Sequence, residues 1–550
     1  MSEADLSWKY WLFCLGLIVS FLLLAGGVLN LTLIKGAYFK MRAWDNKIFE
    51  QTIPAARGTI YDSKGRVLAK SVYQYFKVDD KGNKLYEGVG DFDGFKFEGR
   101  DLAYELKRFY PYGESTSFLT GYLGKTEEDE VGEEVCGKRL TAEMLVGRMG
   151  VEKEMDCVLA GKDGRRLIEV DAKGEYVREL GRAEPEEGKD LRLSIDAFWQ
   201  EKIYKMVSEY KKKIVVIISE PSTGKIIALV STPSFDANNF SYQRDAEMVS
   251  AYLADGENRP LLNRAVASIY QPGSVFKIVM ATAGLESGVI DEQSEFEDTG
   301  FIRIGEWSYT NWLWNKGGGT EGMVNVVAGI KRSNDIFFYR LGESLGVERI
   351  SGWAGRFGLG EKTGIELTGE LTGVVPDPEW KERVKGEDWY LGNTYHLSIG
   401  QGDLLVTPLQ VNMMTNVIAN GGKRCRMSLL EEGKENCVDL GIDKGNLALV
   451  KEGMKQACMS GGTAWPLFNF KTSLACKTGT AEVGDGSKDT HAWLTAFGPS
   501  DNPEVSITVL VERGGEGSDV AAPMVGDILK EWFDEPQTVV PRYDKDVIGE

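Results

Sequence analysis

Histidine is almost missing from this chain: among 550 residues there are two, His396 and His491. That argues against a Ser-His-Asp relay and against a histidine-built metal centre. Each is expected as a hydrogen-bonded loop or strand residue. Zinc spacing is missing too, because no two of the seven cysteines form a Cys-x-x-Cys. Positive charge is in deficit, 64 Lys and Arg against 83 Asp and Glu, and a net charge of -19 argues against nucleic acid as a partner. There are no internal repeats. Charge is absent altogether from Trp11 to Ile34.

That uncharged run is long enough to cross a bilayer. It lacks the shorter apolar core and small-residue cleavage site of a removed signal peptide, so a retained anchor is expected behind a tail of residues 1–10. Lys9 stands against Glu3 and Asp5 before the run, while Lys35, Lys40 and Arg42 follow it. By the positive-inside rule this charge balance argues for a body on the cytoplasmic side. Cys14 lies in the run and six cysteines lie downstream, an even number that suits disulfides in an oxidising space. Proximity pairs Cys425 with Cys437, Cys458 with Cys476 and Cys136 with Cys157; buried free thiols are the alternative.

At 42% hydrophobic and 27% charged, the chain can build several cores. Residues 36–186 read as a mixed unit. It has a strand-turn-strand over Thr59–Ala69, further strands over 118–124 and 166–170, and a solvated acidic loop around Glu127–Glu134. Glu184-Pro185-Glu186-Glu187-Gly188 marks its end. Residues 187–534 form the second unit. Ile214–Ile218 and Ile226–Val230 flank the hairpin signal Pro221-Ser222-Thr223-Gly224. Trp493–Phe497, Val505–Val511 and Ser473–Val483 join them in an antiparallel sheet, with helices from the middle of the chain: an α+β fold. Trp307, Trp312 and Trp314 beside Gly317–Gly319 are expected to be buried aromatic packing, with a loop near the site as the alternative. Residues 535–550 read as a polar tail.

Chemistry gathers at Gln271-Pro272-Gly273-Ser274-Val275-Phe276-Lys277. A helix starting near Ser274 puts Lys277 on the serine's face, so an uncharged lysine amine can take the hydroxyl's proton. Alone, Ser-x-x-Lys occurs by chance in any long chain. Here Ser333-Asn334-Asp335 follows a helix-like run from Met323 to Arg332, and Lys477-Thr478-Gly479-Thr480 follows the strand-like Ser473–Cys476. In this order the three motifs are the signature of penicillin-recognising serine acyltransferases. The chain resembles the class B penicillin-binding proteins, most closely their elongation-type members, the penicillin-binding protein 2 group. Ile53–Asp62, Pro260–Ala265 and Ser398–Gly402 extend the likeness to nearly the whole chain.

The resemblance implies a penicillin-recognising transpeptidase domain behind a transmembrane helix and a non-catalytic pedestal at residues 36–186. It implies peptidoglycan D,D-transpeptidation during cell-wall elongation, inhibition by β-lactams, and no cofactor. The expected location is the bacterial inner membrane, single-pass, with the catalytic domain outside. Partners would be stem peptides, a SEDS-family glycan polymerase and elongation-complex proteins. Ser274 would be the nucleophile, Lys277 its base, and Ser333 a proton relay, with Asp335 beside it. Lys477 would supply a positive field, Thr478, Gly479 and Thr480 would bind the substrate carboxylate, and the N–H groups of Ser274 and Thr480 would form the oxyanion hole. Some elongation-type relatives hold zinc near the second motif through a His and a Cys; Glu321 and Asn334 stand in those places, which implies no metal. Alternatives are a D,D-carboxypeptidase or β-lactamase-type hydrolase, or a non-enzymatic β-lactam sensor or scaffold.

Overall fold

The computed structural model describes residues 3–45, 47–78, 84–90, 102–142, 144–171, 176–242, 245–433 and 436–535. The expected tail lies outside them from residue 536 on. Its first residue, Glu535, accepts the N–H groups of Lys471 and Thr472. Packing divides the chain into two units along a different line from the expected 36–186 and 187–534.

One unit comprises Met1–Arg57 and Ala160–Lys189. A helix over Glu3–Leu29 runs into a π-helical turn, Asn30–Ile34, and a second helix, Gly36–Asp45. Trp8–Ile34 is long and apolar enough to cross a membrane, and side chains such as Phe13 and Phe21 are exposed. Three antiparallel strands follow in the order Ile48–Ile53, Gly164–Val170, Tyr176–Ala183.

The other unit comprises Gly58–Leu159 and Asp190–Glu550. Residues 58–159 join it because Ile60, Leu68, Tyr110, Phe118, Leu119 and Val151 share one apolar core with Val215, Ile217, Leu229 and Trp493 of the central sheet. Polar contacts add to this: Asn238 brackets Tyr110 through both its amide atoms, and Gln200 Nε2 donates to the Ser115 carbonyl at 2.6 Å. The strand-turn-strand near residue 60 is closed by buried Asp62, which accepts the N–H groups of Lys64, Arg66 and Ala197.

The central sheet has five antiparallel strands, β1 (Ile214–Ser219), β2 (Ile226–Thr232), β3 (Ala475–Glu482), β4 (Thr490–Gly498) and β5 (Val505–Val511), in the order β2-β1-β5-β4-β3. The helices that concern the site are α1 (Lys277–Glu286), α2 (Val326–Arg332), α3 (Asp335–Leu345), α4 (Pro408–Ala419), α5 (Lys444–Ala457) and α6 (Ala521–Trp532). β1 and β5 are buried along their whole length, which is why they read as unbroken apolar runs. One face, through Val216, Leu494, Ile507 and Val509, packs with Val525 and Leu529 of α6. The other, through Val215, Ile217, Trp493 and Leu510, packs with α1 and α4. This is the expected α+β arrangement.

Beneath the sheet, α4 meets it through a buried polar layer. Asn412 Nδ2 reaches Ser506 and Thr508, each at 3.2 Å; Asn416 Nδ2 reaches Ser219 at 2.9 Å; Thr415 and Thr495 are 2.6 Å apart. All seven side chains are at most 2% exposed.

Several local expectations need correction. Residues 118–124 begin as a helical turn, Ser117–Thr120, because Ser117 and Thr120 hydroxyls bond back to carbonyls four residues earlier; only Leu123–Lys125 is strand. The run from Met323 starts as a strand, Gly322–Asn325, and Asn325 caps α2 by accepting the Ala328 N–H, so the helix begins at Val326. In the acidic loop Glu130 grips Arg148, and this hydrogen bond lowers its carboxyl to about 2. Disulfides join Cys136–Cys157, Cys425–Cys437 and Cys458–Cys476, and Cys14 is free.

Candidate active site

The fold brings the three motifs to one cleft of about 580 Å³, lined among others by Ser274, Ser333, Asp335 and Thr478–Thr480. Ser274 sits in a 3₁₀ turn, Gly273–Phe276, which leads directly into α1 at Lys277. Gly273 has φ +57°, and a Cβ there would lie 2.8 Å from the Thr480 carbonyl oxygen. Only glycine allows the serine turn to lie this close to β3. The turn is also pinned by the Gly273 N–H donating to Gly400 O at 2.8 Å, and a Cβ on Gly400 would lie 2.1 Å from the Gly273 carbonyl oxygen, which explains the first glycine in Ser398–Gly402.

Ser333 occupies the junction of α2 and α3 with φ +55°. Its hydroxyl receives hydrogen bonds from two wholly buried lysines: Lys477 Nζ at 2.8 Å and Lys277 Nζ at 3.3 Å. Lys277 Nζ also donates to Asp335 Oδ1 at 2.6 Å and to the Ser333 carbonyl at 2.8 Å. Lys477 lies inside β3 rather than after it, so the strand fixes its height opposite Thr495 of β4. The Ser274 hydroxyl makes no hydrogen bond among the described residues, and the Lys277 amine is engaged with the second motif instead.

The two amines differ in charge preference. Burial lowers the pKa of Lys277 from the usual lysine range, and the Asp335 and Glu321 carboxylates oppose that shift. Burial drives Lys477 well below the usual range, and the Lys277 charge pushes it further down. Two ammonium groups sharing one hydroxyl repel strongly in a dry site. The resting arrangement therefore favours the proton on Lys277, beside Asp335, and a neutral Lys477. The expected neutral Lys277 beneath a cationic Lys477 is the reverse of this resting preference.

Thr478 and Thr480 face the cleft, with Thr478 Oγ1 2.7 Å from Thr463 Oγ1 and Thr480 Oγ1 accepting from Gly517 N at 3.3 Å. The tryptophan cluster departs from buried packing. Trp312 lines the cleft and donates Nε1–H to the Arg332 carbonyl at 2.9 Å, Trp314 packs on Phe301, and Trp307 is exposed. Trp312–Gly317 is a short helix capped by Asn311 and ended by Gly318 at φ +75°, so the glycines mark a helix end beside the cleft.

Sequence reasoning missed Asp298 and Asn311, which sit behind the second motif. The one signal was a turn-forming Asp-Thr-Gly at 298–300. Their surroundings also test the zinc reading. The Asn334 amide nitrogen lies 2.9 Å from Asp298 Oδ2 and 2.8 Å from Glu321 Oε2. A donor thus fills the place between two carboxylates that a cation would need, and the Asn311 amide donates to the same Asp298 oxygen. These residues do not fit a zinc ion.

A family model described as the penicillin-binding protein transpeptidase domain matches residues 214–530, more than half of the chain. The chain belongs to this family. A second model, the penicillin-binding protein dimerisation domain, matches residues 83–193 of this penicillin-binding protein. Peptidoglycan D,D-transpeptidase MrdA of Escherichia coli K12 is 30% identical, over 94% of this chain and 92% of its own. Penicillin-binding protein 2 of Helicobacter pylori, solved in complex with MreC, is 27% identical with a TM-score of 0.74, covering 88% of this chain and 99% of that one. A chain from a structure of a peptidoglycan synthase complex that coordinates polymerization and crosslinking is 28% identical, with a TM-score of 0.77, covering 97% of this chain and all of that one.

Proposed function

We propose that this penicillin-binding protein is a serine D,D-transpeptidase that cross-links peptidoglycan stem peptides during wall elongation. The observation that carries this reading is the pair of buried amines, Lys277 and Lys477, meeting at the Ser333 hydroxyl in the cleft that holds Ser274. Docking starts the reaction. The terminal carboxylate of a D-Ala-D-Ala stem binds Thr478 and Thr480 near Lys477, and its charge favours a proton on that lysine. Ser333, hydrogen-bonded to both amines, passes a proton from Lys277 to Lys477. Lys277 is left neutral and takes the Ser274 proton as Oγ attacks the carbonyl between the two D-alanines. The N–H groups of Ser274 and Thr480 hold the oxyanion, each such donor contributing about 3 to 4 kcal/mol. The proton returns through Ser333 to the departing D-alanine amine. An amine of a neighbouring stem then attacks the acyl-enzyme and makes the cross-link. A β-lactam follows the first half and leaves slowly.

Residues 36–186 act as the non-catalytic pedestal and residues 187–534 as the transpeptidase domain. The body stands outside the membrane anchor, against the charge balance around the span; three disulfides downstream of it support an oxidising location. A SEDS-type glycan polymerase and elongation proteins are the partners, which the complexes formed by the two structural relatives support. The test is labelling with a fluorescent penicillin alongside a cross-linking assay. Ser274→Ala must lose both signals; equal labelling of variant and parent removes Ser274 from its role. Free D-alanine without cross-links would support the hydrolase alternative.

A further inference from the structure

Ser333 is a non-glycine residue in the left-handed region, φ +55°, and must be held there by its surroundings. Its chain neighbours are all fixed from one segment, residues 298–321. The Arg332 carbonyl accepts from Trp312 Nε1, and Arg332 Nε donates to Glu321 Oε1 at 2.5 Å. The Asn334 amide donates to Asp298 and Glu321, and the Asp335 N–H donates to Asn311 Oδ1 at 3.2 Å. Asn334 Oδ1 meanwhile caps α3 by accepting the Phe337 N–H at 2.9 Å. The cap directs the amide nitrogen toward the two carboxylates.

Asp298 is the centre of this arrangement. It is 3% exposed and accepts four hydrogen bonds, from Gly300 N (2.8 Å), Asn311 Nδ2 (2.9 Å), Glu321 N (3.0 Å) and Asn334 Nδ2 (2.9 Å). No lysine or arginine pairs with it among the described residues. Its charge is satisfied by N–H donors alone, and those donors belong to both the 298–321 segment and the second motif.

We propose that Asp298 is a positioning residue: with Asn311, Glu321 and Asn334 it forms a metal-free polar clamp that holds Ser333 and Asp335 in register with the two lysines. The proposal rests on the roles assigned above to Ser274 and Ser333. The carboxylate-binding threonines lie on β3, outside the clamp. Loosening the clamp therefore slows acylation and leaves the initial docking of a β-lactam nearly untouched.

The test uses the full-length protein in detergent and a fluorescent penicillin in stopped flow, which separates the dissociation constant of the first complex from the limiting acylation rate. Asp298→Asn keeps the shape and turns an N–H toward donors. The expected result is an acylation rate lower by about ten- to a hundredfold, with the dissociation constant within about threefold of the parent. If Asp298→Asn does not fold, Asn334→Ser takes its place, because it keeps a capping oxygen for α3 and removes the amide donor. An unchanged acylation rate, or a loss confined to the dissociation constant, overturns the proposal. So does one zinc ion per chain in elemental analysis of parent protein purified without chelator; absence of stoichiometric zinc supports it. Persistent labelling of Ser274→Ala in the same assay would instead sink the catalytic reading, so the two failures are distinguishable.

Discussion

Replacing Asp335 with Asn asks which lysine keeps the proton at rest. The carboxylate accepts Lys277 Nζ at 2.6 Å, with the lysine side chain wholly buried and the aspartate 16% exposed. A hydrogen bond to a charged group contributes about 1.5 to 3 kcal/mol. At about 1.4 kcal/mol per factor of ten, that is roughly a ten- to hundredfold bias toward protonated Lys277. Asn keeps an acceptor oxygen and removes the charge. Burial still acts on Lys277, and Glu321 is then the remaining carboxylate that opposes it. Lys277 thus sheds its proton at lower pH, and the acid limb of the acylation profile moves down in pH. The alkaline plateau, where the lysine is neutral in both proteins, changes little.

Stability follows the same linkage. Folded Lys277 has a pKa below that of the unfolded chain. Between the two values the unfolded chain binds more protons, so stability rises with pH across that window. In the variant the window opens at lower pH. Below it the variant is less stable than the parent by about 1.5 to 3 kcal/mol, and above it the two are equal. Stopped-flow acylation across the pH range, with denaturant melts at its two ends, measures both effects. An acid limb that stays put or moves up, or a stability loss equal at every pH, refutes the assignment of the proton to Lys277.

Other outcomes are expected. Cys458→Ala with Cys476→Ala opens a loop of 18 residues; loop entropy sets the loss at about 3 kcal/mol, read as a lower thermal midpoint, and the difference from the parent vanishes when both are measured under reductant. Gly400→Ala puts a Cβ 2.1 Å from the Gly273 carbonyl at φ +75°; it should destabilise by about 1 to 3 kcal/mol and slow penicillin labelling, both measured on one preparation. A thiol titration of the oxidised, denatured chain should find one reactive sulfur, Cys14, and six after reduction would be added to it.

The parts of the fold legible in the sequence were those whose pattern reflects a local cause. β1 and β5 are buried on both faces and read as apolar runs, and the hairpin turn announced itself through Pro221–Gly224. Boundaries set by a single side chain were harder. Asn325 ends a strand and starts a helix in one residue, which an apolar count over Met323–Arg332 blurs. At the site, the residues that meet in the cleft were legible as motifs, because Ser274 and Lys277 lie three apart where the 3₁₀ turn runs into α1. The charge state was not. It depends on Asp335 reaching Lys277 and on Lys477 arriving from a strand some 140 residues later, and burial of both amines is a property of the packed molecule. Asp298 and Asn311 stayed hidden for the same reason: neither has a spacing that betrays a partner more than ten residues away.

The hydroxyl and amide layer between α4 and the sheet has a mechanical consequence. An oily helix-sheet contact can slip by a residue or a turn and find another comfortable fit. Here Asn412, Asn416 and Thr415 each have an assigned mate on β1, β4 or β5. Slippage would strand several at once, each at about 1 to 3 kcal/mol. That half of the molecule is a stiff anvil, and it holds β3, with Lys477 on it, at a set height over the cleft.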